Sequence, residues 1–235
     1  MIVPTLEDFR SLARSGKLVP IYREVLADLD TPVSAFRKLD EGPYSFLLES
    51  VEGGEKWGRF SLIGSRPSLV FIARGDRCEI HAGGRVTAGT RHPLEELAEL
   101  LRQHQAVALP GLPRFCGGAV GYLGYDAVRW FEKIPDRTRD DQQLPDAVFL
   151  FGDVVSVFDN LGHTLKVVTH ARAGADPDGA YADAVRRIDA EVARLSRALP
   201  WEAPVTGTAP GRPVSTTTRE GFCRAVERAK EHIRA

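Results

Sequence analysis

The chain has few cysteines and scatters them. Only Cys78, Cys116 and Cys223 occur among 235 residues. The number is odd and the spacing unlike that of metal ligands, which argues against a disulfide framework and a cysteine metal cluster. A reducing cytoplasm is the expected compartment. An excess of either charge is also missing: 31 Lys and Arg stand against 32 Asp and Glu, a formal net charge of −1. That balance gives no electrostatic reason to expect nucleic acid or an anionic membrane as partner. No apolar run approaches a membrane span, and the opening MIVPTLEDFRSLARSGK is too acidic and too interrupted for a signal peptide.

Signatures of chemistry are equally sparse. The six histidines, His81, His92, His104, His163, His170 and His232, form no i,i+4 pair and have no cysteine at ligand spacing. No G-x-S-x-G nucleophile turn occurs. In GGAVGYLG, Gly118, Gly121 and Gly124 do not spell G-x-G-x-x-G, and no Lys-Ser/Thr follows. A strand whose small residues admit close approach of another sheet is the expectation there. Nothing in these patterns resembles a self-contained catalytic apparatus.

What is present is an ordinary globular composition, 43% hydrophobic and 27% charged, long enough for one large domain or one domain and part of another. Thr5 caps a helix expected over residues 6–15, with Leu6, Phe9, Leu12 and Ala13 on one face and Gly16 at its end. KLVPIYREVL reads as a strand in which Pro20 suggests an edge or a bulge. Thr31-Pro32 opens a short helix through Leu39. Short strands follow, with Gly83-Gly84 as a two-residue hairpin turn. Pro93 opens a helix with Leu94, Leu97, Leu100 and Leu101 on one face. AVFLFGDVVSVFDNLGHTLKVVTH reads as two long strands joined at Asp159-Asn160-Leu161-Gly162, and PDRTRDDQQLPD as a solvated connection.

The clearest helix starts near Asp178. Tyr181, Val185, Ile188, Val192, Leu195 and Leu199 recur at helical period. Residues 200–213 carry four prolines and read as a linker. A Thr217-x-x-Glu220 capping box then opens an amphipathic helix bearing Phe222, Ala225, Val226, Ala229 and Ile233. The expected organisation is a domain over 1–199, a linker over 200–215, and over 216–235 the first helix of a further domain. Hairpin-like strand runs flanked by helices indicate an antiparallel α+β arrangement rather than a parallel nucleotide-binding sheet.

Residues 44–64, YSFLLESVEGGEKWGRFSLIG, end one strand and begin another. Glu49 and Ser50 close the first; Trp57, Arg59 and Phe60 lead into the second. One reading is a capped turn with a surface ion pair, worth about 0–1 kcal/mol. The other is a pocket for a zwitterion. Glu49 and Ser50 then accept from an ammonium, Arg59 meets a carboxylate, and Leu48, Phe60 and Trp57 supply an apolar slot.

FLLESVEGGEKWGRFSLIGSRP (46–67), FCGGAVGYLGYDAVRWFEKIP (115–135), LPDAVFLFGDVVSVFD (144–159) and the helix from Thr217 closely resemble the N-terminal portion of the anthranilate synthase component I family. The resemblance implies an α+β fold with antiparallel sheets packed as an orthogonal β-sandwich, flanked by helices. By the same correspondence Leu48, Glu49 and Ser50 line a feedback site for L-tryptophan, with Arg59 and Phe60 carried over from the next strand. Full-length members convert chorismate to anthranilate and pyruvate with ammonia from a glutamine amidotransferase partner, component II, and use Mg2+. The chorismate and Mg2+ residues lie in the C-terminal portion, so no catalytic or metal residue is assigned in this chain. The alternatives are a stand-alone amino-acid-binding or amidotransferase-scaffold module, or the aminodeoxychorismate or isochorismate synthase branch.

Overall fold

The computed structural model describes residues 1–49, 58–137, 139–199, 211 and 214–234. The chain divides into two compact units, Met1–Leu199 and Pro200–Ala235. Ser50 and Trp57, and the 200–213 linker apart from Gly211, lie outside the described residues.

In chain order the strands are β1 (Ile2–Val3), β2 (Val19–Leu26), β3 (Phe46–Leu48), β4 (Phe60–Gly64), β5 (Leu69–Arg74), β6 (Arg77–Ala82), β7 (Arg85–Ala88), β8 (Ala119–Leu123), β9 (Ala147–Phe151), β10 (Val154–Asp159) and β11 (Thr164–Ala171). The helices of the first unit are α1 (Leu6–Leu12), α2 (Pro32–Leu39), α3 (Pro93–Gln103) and α4 (Pro177–Leu195). Two antiparallel sheets result, ordered β1-β2-β11-β10-β4-β3 and β7-β6-β5-β9-β8. The α+β class with antiparallel sheets and flanking helices is therefore as expected.

Local chemistry explains most element ends. Thr31 caps α2 by accepting from the Ser34 N–H while the Ser34 hydroxyl accepts from the Thr31 N–H, with Pro32 at the first turn. Gly83 and Gly84 both take positive φ, +56° and +74°, as a tight hairpin between β6 and β7 requires. Pro20 is tolerated because β1 pairs with β2 only at Tyr22 and Arg23, so Pro20 is flanked by a strand on one side alone.

The six-stranded sheet buries Ile21, Ile63, Leu165 and Val167 on one face against Phe9, Leu39, Ala184 and Ile188 of α1, α2 and α4. Its other face carries Tyr22, Val155, Val157 and Val168, with Phe60, Leu62, Leu109, Leu112 and Cys116 packed around them. The five-stranded sheet packs Phe71, Ala73, Ala147 and Phe151 against Leu97 and Leu100 of α3.

Four expectations are corrected. The segment before Asp159 is two strands: β9 belongs to one sheet and β10 to the other, and the chain crosses between them at Gly152-Asp153. On α3 the buried stripe is Pro93, Glu96, Leu97 and Leu100, with Leu101 exposed. Burial of Glu96 is compensated because its carboxylate accepts from the Thr90 and Arg91 N–H groups. On α4 the buried residues are Ala184, Ile188, Glu191, Arg194 and Leu195, so a buried ion pair occupies the end of the stripe. In the second unit, α5 (Arg219–Arg234) is capped by Thr218, whose hydroxyl accepts from the Gly221 N–H, one residue later than the expected Thr217 box.

Candidate functional site

β3 and β4 run antiparallel with Phe46 opposite Gly64, Leu47 opposite Ile63, and Leu48 opposite Leu62. Opposed residues share a face and alternate residues change face. Leu48, Leu62 and Phe60 therefore lie on the face away from the helices, whereas Leu47 and Ile63 enter the main core. The Phe46 ring covers Gly64 so closely that a Cβ there would meet it at 2.4 Å. A side chain at 64 would have to displace the Phe46 ring, so glycine there lets β3 and β4 pack face to ring.

The structure thus brings Leu48 and Phe60 to one face, at the end of the β3–β4 pair where residues 49–59 join the two strands. Leu48, at the edge, is 43% exposed. Phe60 is half-buried against the Tyr22 and Val157 cluster. Glu49 follows the last strand residue and is exposed. Ser50 and Trp57 are outside the described residues.

Arg59 has a partner that sequence reading did not supply. Its Nε lies 3.0 and 3.1 Å from Asp159 Oδ1 and Oδ2, and its Nη2 lies 2.7 Å from Oδ2. This side-on fork is charge-assisted and geometrically specific. The pair is lopsided: the Asp159 side chain is 6% exposed and that of Arg59 44%. The guanidinium also rides 4.9 Å from the centroid of the Phe60 ring, within cation–π range.

The turn between β10 and β11 locks this arrangement. Asp159 Oδ1 accepts from the Leu161 and Gly162 N–H groups at 3.1 and 3.2 Å. The Asn160 N–H donates to Arg59 O at 2.8 Å. Asn160 Nδ2 donates to Gly58 O and to the hydroxyl of the fully buried Ser61. Hydrogen bonds from Arg59 hold the Asp159 carboxyl below the usual carboxylate range, against burial, with help from the Gly162 and Leu161 N–H groups. Asp159 and Asn160 were visible in the sequence only as a turn joining two strands. Their link to residue 59 spans a hundred positions, which no local pattern reveals.

Elsewhere in the first unit, a concavity of about 410 Å³ is lined by His104, Val107, Leu112, Cys116, Gly117 and His170. Burial, reinforced by Arg187 and His104, pushes His170 down to about 4, so its imidazole is neutral at pH 7. A Cβ on Gly117 would strike the His170 ring at 2.1 Å. Gly117 thus packs against β11 of the other sheet, whereas Gly121, within β8, lies against Val148 and Phe149 of β9, so the strand's own glycine serves pairing inside its sheet rather than the expected approach of another one. Among the described residues no group of three or more His, Cys, Asp or Glu side chains is placed to hold a metal ion. Residues fitted to Mg2+ are thus not found there, and no chemical step is assigned to that ion. Among the described residues no helix is long and apolar enough to cross a membrane.

The chain belongs to the chorismate-binding enzyme family, whose model matches residues 44–235. Within that class its similarity is to anthranilate synthase component 1. It is 35% identical over 242 residues to the Acetivibrio thermocellus protein, covering 100% of this chain and 49% of that one. It is 39% identical over 242 residues to the Pseudomonas aeruginosa protein, covering 97% and 48%. The chain spans about half the length of these relatives. The crystal structure of anthranilate synthase component I from Streptococcus pneumoniae matches with a TM-score of 0.59 at 24% identity, covering 89% of this chain and 45% of that one, and shares its fold.

Proposed function

We propose that this chain is the N-terminal, tryptophan-sensing portion of an anthranilate synthase component I. In this reading residues 1–199 form the regulatory domain, 200–215 a linker and 216–235 the first helix of the chorismate-binding domain. The observation that carries it is the similarity to component 1 proteins along the whole chain, together with the side chains gathered where β3 ends and β4 begins. There an apolar surface from Leu48 and Phe60 adjoins an anion, Glu49, and a fixed cation, Arg59. A zwitterionic amino acid with an aromatic side chain needs those three kinds of group.

L-Tryptophan binds with its side chain against Leu48 and Phe60, its ammonium at Glu49 and Ser50, and its carboxylate at Arg59. The complete subunit converts chorismate and ammonia to anthranilate and pyruvate, with component II delivering ammonia from glutamine and Mg2+ bound by residues outside this chain. Coupling is reciprocal: tryptophan favours a state that binds chorismate or its transition state less well.

The test is calorimetric titration of L-tryptophan, with L-phenylalanine as control, into this chain and into the complete subunit. Saturable binding selective for tryptophan is expected in the complete subunit. Ser50→Ala removes a hydrogen bond and leaves a polar group unpaired, so inhibition there should require about 5- to 150-fold more tryptophan. Unaltered inhibition would remove Ser50 from the site.

A further inference from the structure

We propose that Asp159 is a positioning residue for amino-acid recognition at this site, holding the Arg59 guanidinium so that its remaining edge meets the ligand carboxylate. The inference rests on the tryptophan-site reading above and adds to it a residue a hundred positions away.

An arginine side chain presents two edges that can pair with carboxylates, one through Nε and Nη2, the other through Nη1 and Nη2. Asp159 takes the first edge with three contacts of 2.7–3.1 Å. Nη1 takes no part in that fork. The carboxylate is buried while the guanidinium remains partly open to solvent, so the accessible side of the pair is cationic. The Phe60 ring lies 4.9 Å from the guanidinium carbon, within cation–π range. The Asn160 N–H holds the Arg59 carbonyl from behind. A long, flexible side chain is thus ordered before any ligand arrives, which lowers the entropy lost on binding. Among the described residues, each element of the clamp belongs to the 159–162 turn or to residues 58–61 at the start of β4, which sheet pairing holds beside β10.

One substitution separates the clamp from the turn. Both turn N–H groups bond to Oδ1, which also takes one contact from Arg59 Nε, whereas the other Nε contact and the shortest one, from Nη2, fall on Oδ2. Asp159→Asn can keep an oxygen for the Leu161 and Gly162 N–H groups while turning an amide toward the guanidinium. Arg59→Lys attacks the clamp from its other side, keeping the charge and losing the fork.

The experiment is calorimetric binding of L-tryptophan to the complete subunit carrying Asp159→Asn, Arg59→Lys, Arg59→Ala, the Asp159→Asn/Arg59→Ala double variant, or Ser50→Ala. The expected result is about a tenfold loss of affinity for Asp159→Asn, a comparable loss for Arg59→Lys, and no further loss when Asp159→Asn is added to Arg59→Ala. An equal loss in both backgrounds would mean that Asp159 acts by shaping the turn, and overturns the proposal. Tighter binding in Asp159→Asn would make Asp159 a competitor for Arg59, and overturns it as well. Unchanged binding in Asp159→Asn with weakened Ser50→Ala and Arg59→Ala sinks the inference alone. Unchanged binding in all variants sinks the tryptophan-site reading, and this inference with it.

Discussion

Two arginine–carboxylate pairs in the first unit have similar contacts and opposite electrostatics. At the candidate site, Arg59 forks onto Asp159, whose carboxyl is held below its usual range because hydrogen bonds outweigh burial. At the end of α4, Arg194 Nη1 lies 2.7 Å from Glu191 Oε2, with both side chains 5% exposed. Arg194 also reaches Glu41 and the Leu39 carbonyl, and Arg66 lies 3.7 Å from Glu191. Yet burial pushes the Glu191 carboxyl up, and the surrounding arginines only partly reverse it. The difference is solvent. A cation with an open side stays hydrated while it stabilises its partner; a pair sealed between α4 and the end of α2 gives up hydration on both ions. The first pair is built to present a charge, the second to tie two helices together.

That contrast predicts a ranking. Arg194→Ala leaves Glu191 buried with its closest counter-ion gone, and should cost about 3–5 kcal/mol of unfolding free energy in a urea titration. A loss below about 1 kcal/mol would mean that water or Arg66 already serves Glu191, and the sealed character of the pair would be lost.

Acid titration distinguishes the pairs only after His170 is accounted for. With its value near 4 in the folded chain against an ordinary 6.5, the unfolded chain binds a proton between those limits and the folded chain does not. Stability is full above about pH 6.5 and falls by about 3 kcal/mol as the pH drops to 4. His170→Gln should flatten that slope. If the slope persists, the His170 imidazole is protonated in the fold and another group sets the acid limit.

The histidine, the clamp and the α4 pair share a reason for being invisible in the sequence. Helices and strands declare themselves through period and caps: Thr31-Pro32, Gly83-Gly84 and the Tyr181–Ile188 stripe all lie where local chemistry puts them. The division at Gly152-Asp153 does not, because both strands are apolar and only tertiary pairing assigns them to different sheets. Glu191 and Arg194 fall outside the apolar stripe read on that helix, and their burial depends on Glu41 and Leu39 arriving from elsewhere. At the site, Leu48 and Phe60 were legible as apolar strand ends and Arg59 as a cation beside them. Asp159 was not, because the sheet order places β10 next to β4 only after the whole of the five-stranded sheet has been laid down between them.

Asp159→Asn comes next in size, at about 1–2 kcal/mol, less than a sealed pair because solvent screens the open side of Arg59. The sign of its pH dependence sharpens the contrast. A carboxyl whose folded value is depressed contributes stability above its unfolded value and loses it as pH falls through the folded value. Glu191, raised in the fold, contributes below its unfolded value and loses that contribution as pH rises through the folded one. In a His170→Gln background, Asp159→Asn should therefore reduce the acid loss of stability below about pH 4, whereas Glu191→Gln should reduce the loss on raising pH above that range. Slopes of the same sign in both variants would erase the distinction.

The smallest effect belongs to a third pair with nearly the geometry of the first. Arg10 Nε and Nη2 lie 2.8 and 2.5 Å from the two oxygens of Asp178, joining α1 to the first turn of α4. Both side chains are about half exposed, 50% and 54%. If fork geometry alone gave the Arg59–Asp159 pair its strength, Arg10→Gln should cost as much as Asp159→Asn. If burial of the carboxylate and the turn N–H groups are what matter, Arg10→Gln should leave the urea midpoint unchanged within error at physiological salt, because water competes for every donor and ions screen the charge. A midpoint shift matching that of Asp159→Asn would show that the lopsided burial at the candidate site has no energetic role, and that Arg59 is an ordinary surface partner.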